Sequence, residues 1–168
     1  MKRCIFILML CCNVTIFSQE NISSFKQMFS LTGGIVVPHS APSVSVLRGF
    51  SYGGSNSNVA LLTGYSLIQT KVTSKNEQFH TIPLIIQQII SKTNKDDGVR
   101  LGLLAHIGLS YMFNRHHDAN IGGTSGFGVV AGKGRAMLMI KGKNELISLK
   151  DHENKIVRAI ECGILFGY

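Results

Sequence analysis

The chain has 168 residues, a formal net charge of +8, 45% hydrophobic and only 15% charged residues, and a mean hydropathy of +0.21. Beyond the first eighteen residues no apolar stretch approaches the roughly 20 residues that a spanning helix needs, which excludes a helical membrane protein once those residues are removed. Three of the four cysteines, Cys4, Cys11 and Cys12, lie in that first segment; Cys162 alone builds neither a disulfide framework nor a thiolate zinc site.

Taken in chain order, the first element is a leader. Lys2 and Arg3 precede an apolar run over 5–17, broken only by Asn13 and Thr15. A short charged region followed by a short apolar one is a secretory signal peptide. Cleavage is expected after the small residue Ser18, leaving one domain over 19–168 and lowering the charge to +6 as Lys2 and Arg3 leave. Lipidation at Cys11 or Cys12 competes poorly, because neither cysteine follows Gly, Ala or Ser.

The remainder alternates. Over 28–37, Phe29, Leu31, Ile35 and Val37 oppose Ser30, Thr32 and Gly34. Over 43–52, Val44, Val46, Phe50 and Tyr52 oppose Ser43, Ser45, Gly49 and Ser51. Segment 58–73 sets Val59, Leu61, Tyr65 and Leu67 against Ala60, Gly64, Ser66 and Thr70. Segment 78–91 sets Ile82, Leu84, Ile86 and Ile90 against Pro83 and Gln87. The clearest case is 99–114. Its odd positions Leu101, Leu103, Ala105, Ile107, Leu109, Tyr111 and Phe113 are apolar, while the even positions carry Arg100, Gly102, Leu104, His106, Gly108, Ser110 and Met112. Segment 125–141 is irregular, since Lys133 and Arg135 share a face with Phe127 and Met137. Segment 145–150 is short. Finally, 155–168 puts Ile156, Ile160, Cys162, Ile164, Phe166 and Tyr168, interrupted by Arg158, against Val157, Ala159, Glu161, Gly163, Leu165 and Gly167.

Period-2 patterning with turn residues at 38–42, 53–56, 74–76, 94–98, 142–144 and 151–154, and a polar gap over 115–124, predicts eight strands. Strands of about fifteen alternating residues exceed the usual sandwich length. The expected fold is all-β: a closed antiparallel transmembrane up-and-down β-barrel of about eight strands. Closure requires the last strand to pair with the first, because lipid leaves no water for unpaired backbone groups. Antiparallel pairing is therefore expected between 28–37 and 156–168.

Two resemblances extend this reading. Glu161-Cys162-Gly163-Ile164-Leu165-Phe166-Gly167-Tyr168 resembles the C-terminal assembly signal of outer-membrane barrels, with Glu161, Gly163, Phe166 and Tyr168 in its polar, glycine and two hydrophobic places. Arg48-Gly49-Phe50-Ser51-Tyr52-Gly53, then Phe79-His80-Thr81-Ile82-Pro83-Leu84, then Gly128-Val129-Val130-Ala131-Gly132-Lys133-Gly134 are similar, in that order, to the small outer-membrane β-barrel domain family common in Bacteroidetes, with OmpA/OmpX-like or PorT-like barrels. The resemblance implies a bacterial outer-membrane location, outer-membrane lipids and the barrel assembly machinery as partners, and no assigned activity.

The chemistry-bearing residues are then read as structural. A lone carboxylate among small residues belongs in the lumen, because it is costly against lipid. Glu161 is thus expected to join a lumen charge network with Arg100, His106, Lys133 and Arg135, neutralising one of the basic residues. His116-His117-Asp118 is the only histidine cluster, but adjacent histidines on a strand point apart and make poor co-ligands; no metal or other cofactor is expected. A hydrolase set of Ser125, Asp118 and His116 or His117 has no supporting motif, so no enzyme is expected. Export argues against nucleic acid. Basic loop residues such as Arg115 are candidates for lipid phosphates. Eight strands leave a lumen that side chains fill, which favours a structural, adhesive or envelope-assembly role. A small-solute channel and a secreted soluble barrel binding an apolar ligand are the alternatives.

Overall fold

The computed structural model describes residues 25–37, 40–53, 57–72, 75–94, 96, 98–114, 120–147 and 154–167. The expected leader and its cleavage site lie outside them, as do Arg115, His116, His117, Asp118 and Tyr168. Eight strands follow in order: β1 (Phe25–Val37), β2 (Ala41–Gly53), β3 (Ser57–Val72), β4 (Lys75–Thr93), β5 (Val99–Phe113), β6 (Asn120–Lys133), β7 (Ala136–Ile147) and β8 (Lys155–Gly167). Each pairs antiparallel with the next, and β8 returns to β1 to close the barrel.

Register sets the shape. A path along the pairs Val37↔Arg158, Arg158↔Asn144, Asn144↔Ser125, Ser125↔Ile107, Ile107↔Ile86, Ile86↔Leu61, Leu61↔Phe50 and Phe50↔Gln27 returns to β1 ten residues from its start. That stagger over eight strands tilts them by about 40° and leaves an interior that side chains fill. One end of the barrel carries the start of β1, the end of β8 and the connections β2–β3, β4–β5 and β6–β7; it is called the terminal end here. The other, the loop end, carries the remaining four connections.

The chain between 120 and 147 departs from the sequence expectation. The turn is not at Gly142-Lys143-Asn144, which lie inside β7, but at Gly134-Arg135, between the paired Lys133 and Ala136. Gly134 has a φ of 65°, and a two-residue hairpin with glycine first matches the twist of its strands. This turn exchanges the parity. Odd residues face outward in β6, and even residues, Leu138 and Ile140 among them, face outward in β7. The irregularity of 125–141 is this phase change, and Asn120 to Thr124 belong to β6 rather than to a loop.

Pro83 sits buried within β4, where proline is normally excluded because it cannot donate to a ladder. The β3–β4 ladder is interrupted there: the register passes from Thr63↔Leu84 to Ser66↔Thr81, while Pro83 still stands opposite Ser110 of β5.

The closing seam pairs Met28 with Gly167 through to Val37 with Arg158, as alternation and closure predict. Gly163 stands opposite Thr32 in this seam, and a Cβ on it would lie 2.0 Å from the Leu31 carbonyl oxygen and 2.7 Å from Thr32 Cα. Any side chain must push β1 and β8 apart. Gly163→Ala is expected to lose about 1–3 kcal/mol, the usual cost of overpacking, read as a lower urea midpoint of the refolded protein; an unchanged midpoint contradicts this close approach.

Inside, the apolar side chains form two separate clusters. Met28, Leu47, Leu62, Ile85, Ile89, Leu104, Val130, Met139 and Leu165 fill the terminal half. Val36, Ile68, Phe79, Met112, Ile147 and Val157 fill the loop half. Alternation delivers one such residue at a time from strands on all sides, so each cluster plugs the bore.

Candidate functional site

Between the two apolar plugs lies a layer of polar side chains, every one inward on its strand. β8 supplies Glu161, which is fully buried, and β7 supplies Lys141, Lys143 and Glu145, also buried. Lys141 Nζ is 3.2 Å from Glu161 Oε2, and Lys143 Nζ is 3.9 Å from Glu161 Oε1 and 3.1 Å from Glu145 Oε2. Two ammonium groups meet two carboxylates, so the layer is electrically neutral without His106.

Hydroxyl groups complete the partners. Thr32 Oγ1 donates to Glu161 Oε2 and Ser43 Oγ to Glu161 Oε1, both at 3.0 Å. Lys143 Nζ donates to Ser66 Oγ at 3.2 Å across the bore, and Ser66 Oγ shares a 2.8 Å hydrogen bond with Ser45 Oγ. Ser110 Oγ donates to Glu145. The result is a crossbar linking β7 and β8 to β1, β2, β3 and β5. Buried ions of this kind are tolerable only when paired and hydrogen-bonded, and Glu161 has both ion pairs and two hydroxyl donors. The layer has the chemistry of a structural lock. Among the described residues no group of three or more His, Cys, Asp or Glu could hold a metal ion.

The residues singled out from sequence scatter around this layer. Glu161 is at its centre, and His106 is buried at its terminal side, where Gly126 makes room: a Cβ there would lie 2.4 Å from the imidazole Cε1. Arg100 is half-buried near the terminal end, opposite Gly132 and Thr93. Lys133 and Arg135 are exposed at the β6–β7 turn. The expected pairing of Glu161 with Arg100, Lys133 or Arg135 is therefore replaced by pairing with Lys141 and Lys143. Sequence reasoning misses those two lysines and Glu145 because Gly142-Lys143-Asn144, eight residues beyond the true turn, has the composition of one. Once Gly134-Arg135 ends β6, alternation alone carries all three inward. Of the C-terminal pattern, Gly163 lies in the seam, and the Phe166 ring tilts against Phe29 with centroids 6.5 Å apart. Ser125 faces outward, half-buried.

The outer surface is the second candidate. Large apolar side chains stand exposed on all eight strands, including Leu31, Val46, Leu61, Ile86, Ile107, Phe127, Ile140 and Ile160, with Ile107 at 66% and Phe127 at 75%. Aromatic rings gather toward both rims of this band. Toward the loop end, Tyr65 hydrogen-bonds the His80 ring, which stacks on Phe113 at 5.3 Å, and Tyr111 tilts against Phe113. Toward the terminal end lie the Phe29–Phe166 pair and the exposed Tyr52. Among the described residues, the outward strand positions carry the bases Arg48, Lys71, Lys92, Lys133 and Arg158 and no carboxylate.

No family model and no curated protein matches the chain. Among solved structures, the crystal structure of Neisserial surface protein A is similar at 14% identity, covering 86% of this chain and 96% of that one with a TM-score of 0.52. A de novo designed transmembrane β-barrel matches at 15% identity over 85% of this chain and 95% of its own, with a TM-score of 0.43. Ail, the attachment invasion locus protein of Yersinia pestis, matches at 11% identity over 86% and 97%, with a TM-score of 0.39. The likeness to the Neisserial protein is one of fold.

Proposed function

We propose that the chain is an integral protein of a bacterial outer membrane: an exported, non-enzymatic β-barrel with a filled lumen and a structural, adhesive or envelope-assembly role. One observation carries the reading: apolar side chains cover the outside of all eight strands while buried ions occupy the inside. Water as the outer solvent favours the reverse arrangement, and a soluble protein rarely leaves so continuous an apolar surface uncovered. A lipid bilayer supplies a solvent that suits it.

Dimensions support the same reading. The shortest strand, β7, has 12 residues, which at a tilt of about 40° rise about 30 Å, the thickness of a hydrocarbon core. Aromatic residues toward both rims fit the two interfaces. Removal of the leader after Ser18, docking with the barrel assembly machinery through Glu161, Gly163, Phe166 and Tyr168, and kinship with the Bacteroidetes barrel family belong to this proposal. The two apolar plugs and the ion crossbar between them favour a filled barrel over a small-solute channel. Apolar residues pointing outward rather than into a cavity disfavour a soluble binder of apolar ligands.

A gel-mobility experiment tests the proposal. Protein refolded in detergent is expected to run faster unheated than boiled, and to precipitate when detergent is removed. A chain that stays monodisperse in plain buffer, with no difference on heating, defeats the membrane reading.

A further inference from the structure

One charge on the outer face lies well inside the apolar band. Inward Leu47 and Gly49 are buried on either side of Arg48 in β2, so Arg48 points outward. Along the same outer face it has Val44 and Val46 toward the loop end and Phe50 and Tyr52 toward the terminal end. Its cross-strand neighbours are Phe29 of β1 and Thr63 of β3. A charged side chain facing lipid is expensive unless it reaches a polar partner.

The side chain leans in one direction. Arg48 Nη2 donates to Gln27 Oε1 at 3.3 Å, and Gln27 lies two residues nearer the terminal rim than Phe29. Among the described residues Gln27 is the one acceptor, and the other N–H groups of the fork find no partner there. Among the described residues no carboxylate lies on the outward positions of the strands to serve them. A second copy of this outer face would bring only more cations. The chemistry left is a phosphate oxygen arriving from the membrane, which a guanidinium binds through two parallel hydrogen bonds.

Given the membrane reading above, on which this rests, we propose that Arg48 and Gln27 form a binding site for the phosphate of an anionic phospholipid in the leaflet at the terminal end. The long aliphatic stem crosses the band while the head reaches the headgroup level, as basic side chains do near interfaces. Gln27 aims the fork, and the acyl chains lie along the apolar surface beside it.

Native mass spectrometry of the refolded protein in a neutral detergent, titrated with phosphatidylglycerol or with phosphatidylcholine of the same acyl chains, tests the site. The protein is expected to retain one phosphatidylglycerol more tightly than any phosphatidylcholine. Arg48→Gln should weaken that first lipid at least about tenfold, the loss of a charge-assisted contact, and Arg48→Lys should lose part of it. Arg158→Gln, toward the opposite end, should leave it unchanged. Heat-dependent mobility is measured on every variant, so failure of the barrel itself is seen separately from failure of the site. A folded Arg48→Gln variant that binds phosphatidylglycerol as tightly as the parent overturns the proposal. So does loss of a complex with another envelope protein in that variant while lipid binding is unaltered, since Arg48 then serves a protein carboxylate.

Discussion

Replacing Glu161 with alanine is expected to destabilise the barrel by about 3–5 kcal/mol, the usual cost of leaving one partner of a buried ion pair alone. Lys141 loses its 3.2 Å partner, Lys143 keeps Glu145 and Ser66 but loses its second carboxylate, and Thr32 and Ser43 lose the acceptors of their side-chain hydrogen bonds. Urea unfolding in detergent micelles reads the change as a fall in the midpoint at an unchanged slope. The double variant Glu161→Leu with Lys141→Met should recover most of the loss, because replacing both ions with apolar groups of similar size is often neutral. An alanine variant with the parent's midpoint contradicts the crossbar.

The second large effect belongs to the outer face. Ile107→Arg should cost about 2–4 kcal/mol in a bilayer, the penalty for arginine facing lipid near the midplane. Ile107 lies in the middle of β5, with Leu103 and Leu109 on the same face, Ile86 of β4 opposite on one side and only the short hydroxyl of Ser125 of β6 on the other. Ile156→Arg, at the loop-end start of β8, should cost only about 0–1 kcal/mol, because the same charge reaches the interface there. Unfolding in lipid vesicles compares the two. Equal penalties at both depths contradict a hydrocarbon band around the barrel.

Both predictions depend on knowing which way each side chain points, and alternation makes that almost wholly legible in the sequence. Alternation in β1 to β5 and in β8 assigns outward and inward residues as the structure places them, Pro83 and Glu161 included. Where the reading failed, one turn was responsible. Gly134-Arg135 offers only two residues to mark a hairpin, while Gly142-Lys143-Asn144 looks more like a turn by composition. A strand's faces exchange when its register shifts by one residue, so the misplaced turn hid Lys141, Lys143 and Glu145 at once.

Local pattern determined the strand class and the inward place of Glu161, because a side-chain period of two is written in neighbouring residues; closure of β8 on β1 followed from the need of backbone groups in lipid for partners. The partner of Glu161 was decided elsewhere. Arg100, Lys133, Arg135, Lys141 and Lys143 are all bases within reach by sequence, and only the register between β7 and β8 stands Lys141 opposite Glu161, while the β6–β7 turn holds Lys133 and Arg135 at the terminal rim. The height of Arg48 in the apolar band, and its lean toward Gln27, likewise come from register between strands. Alternation records which face a residue takes; how far along the barrel it stands is a property of the closed sheet, set by hydrogen bonds that no single strand contains.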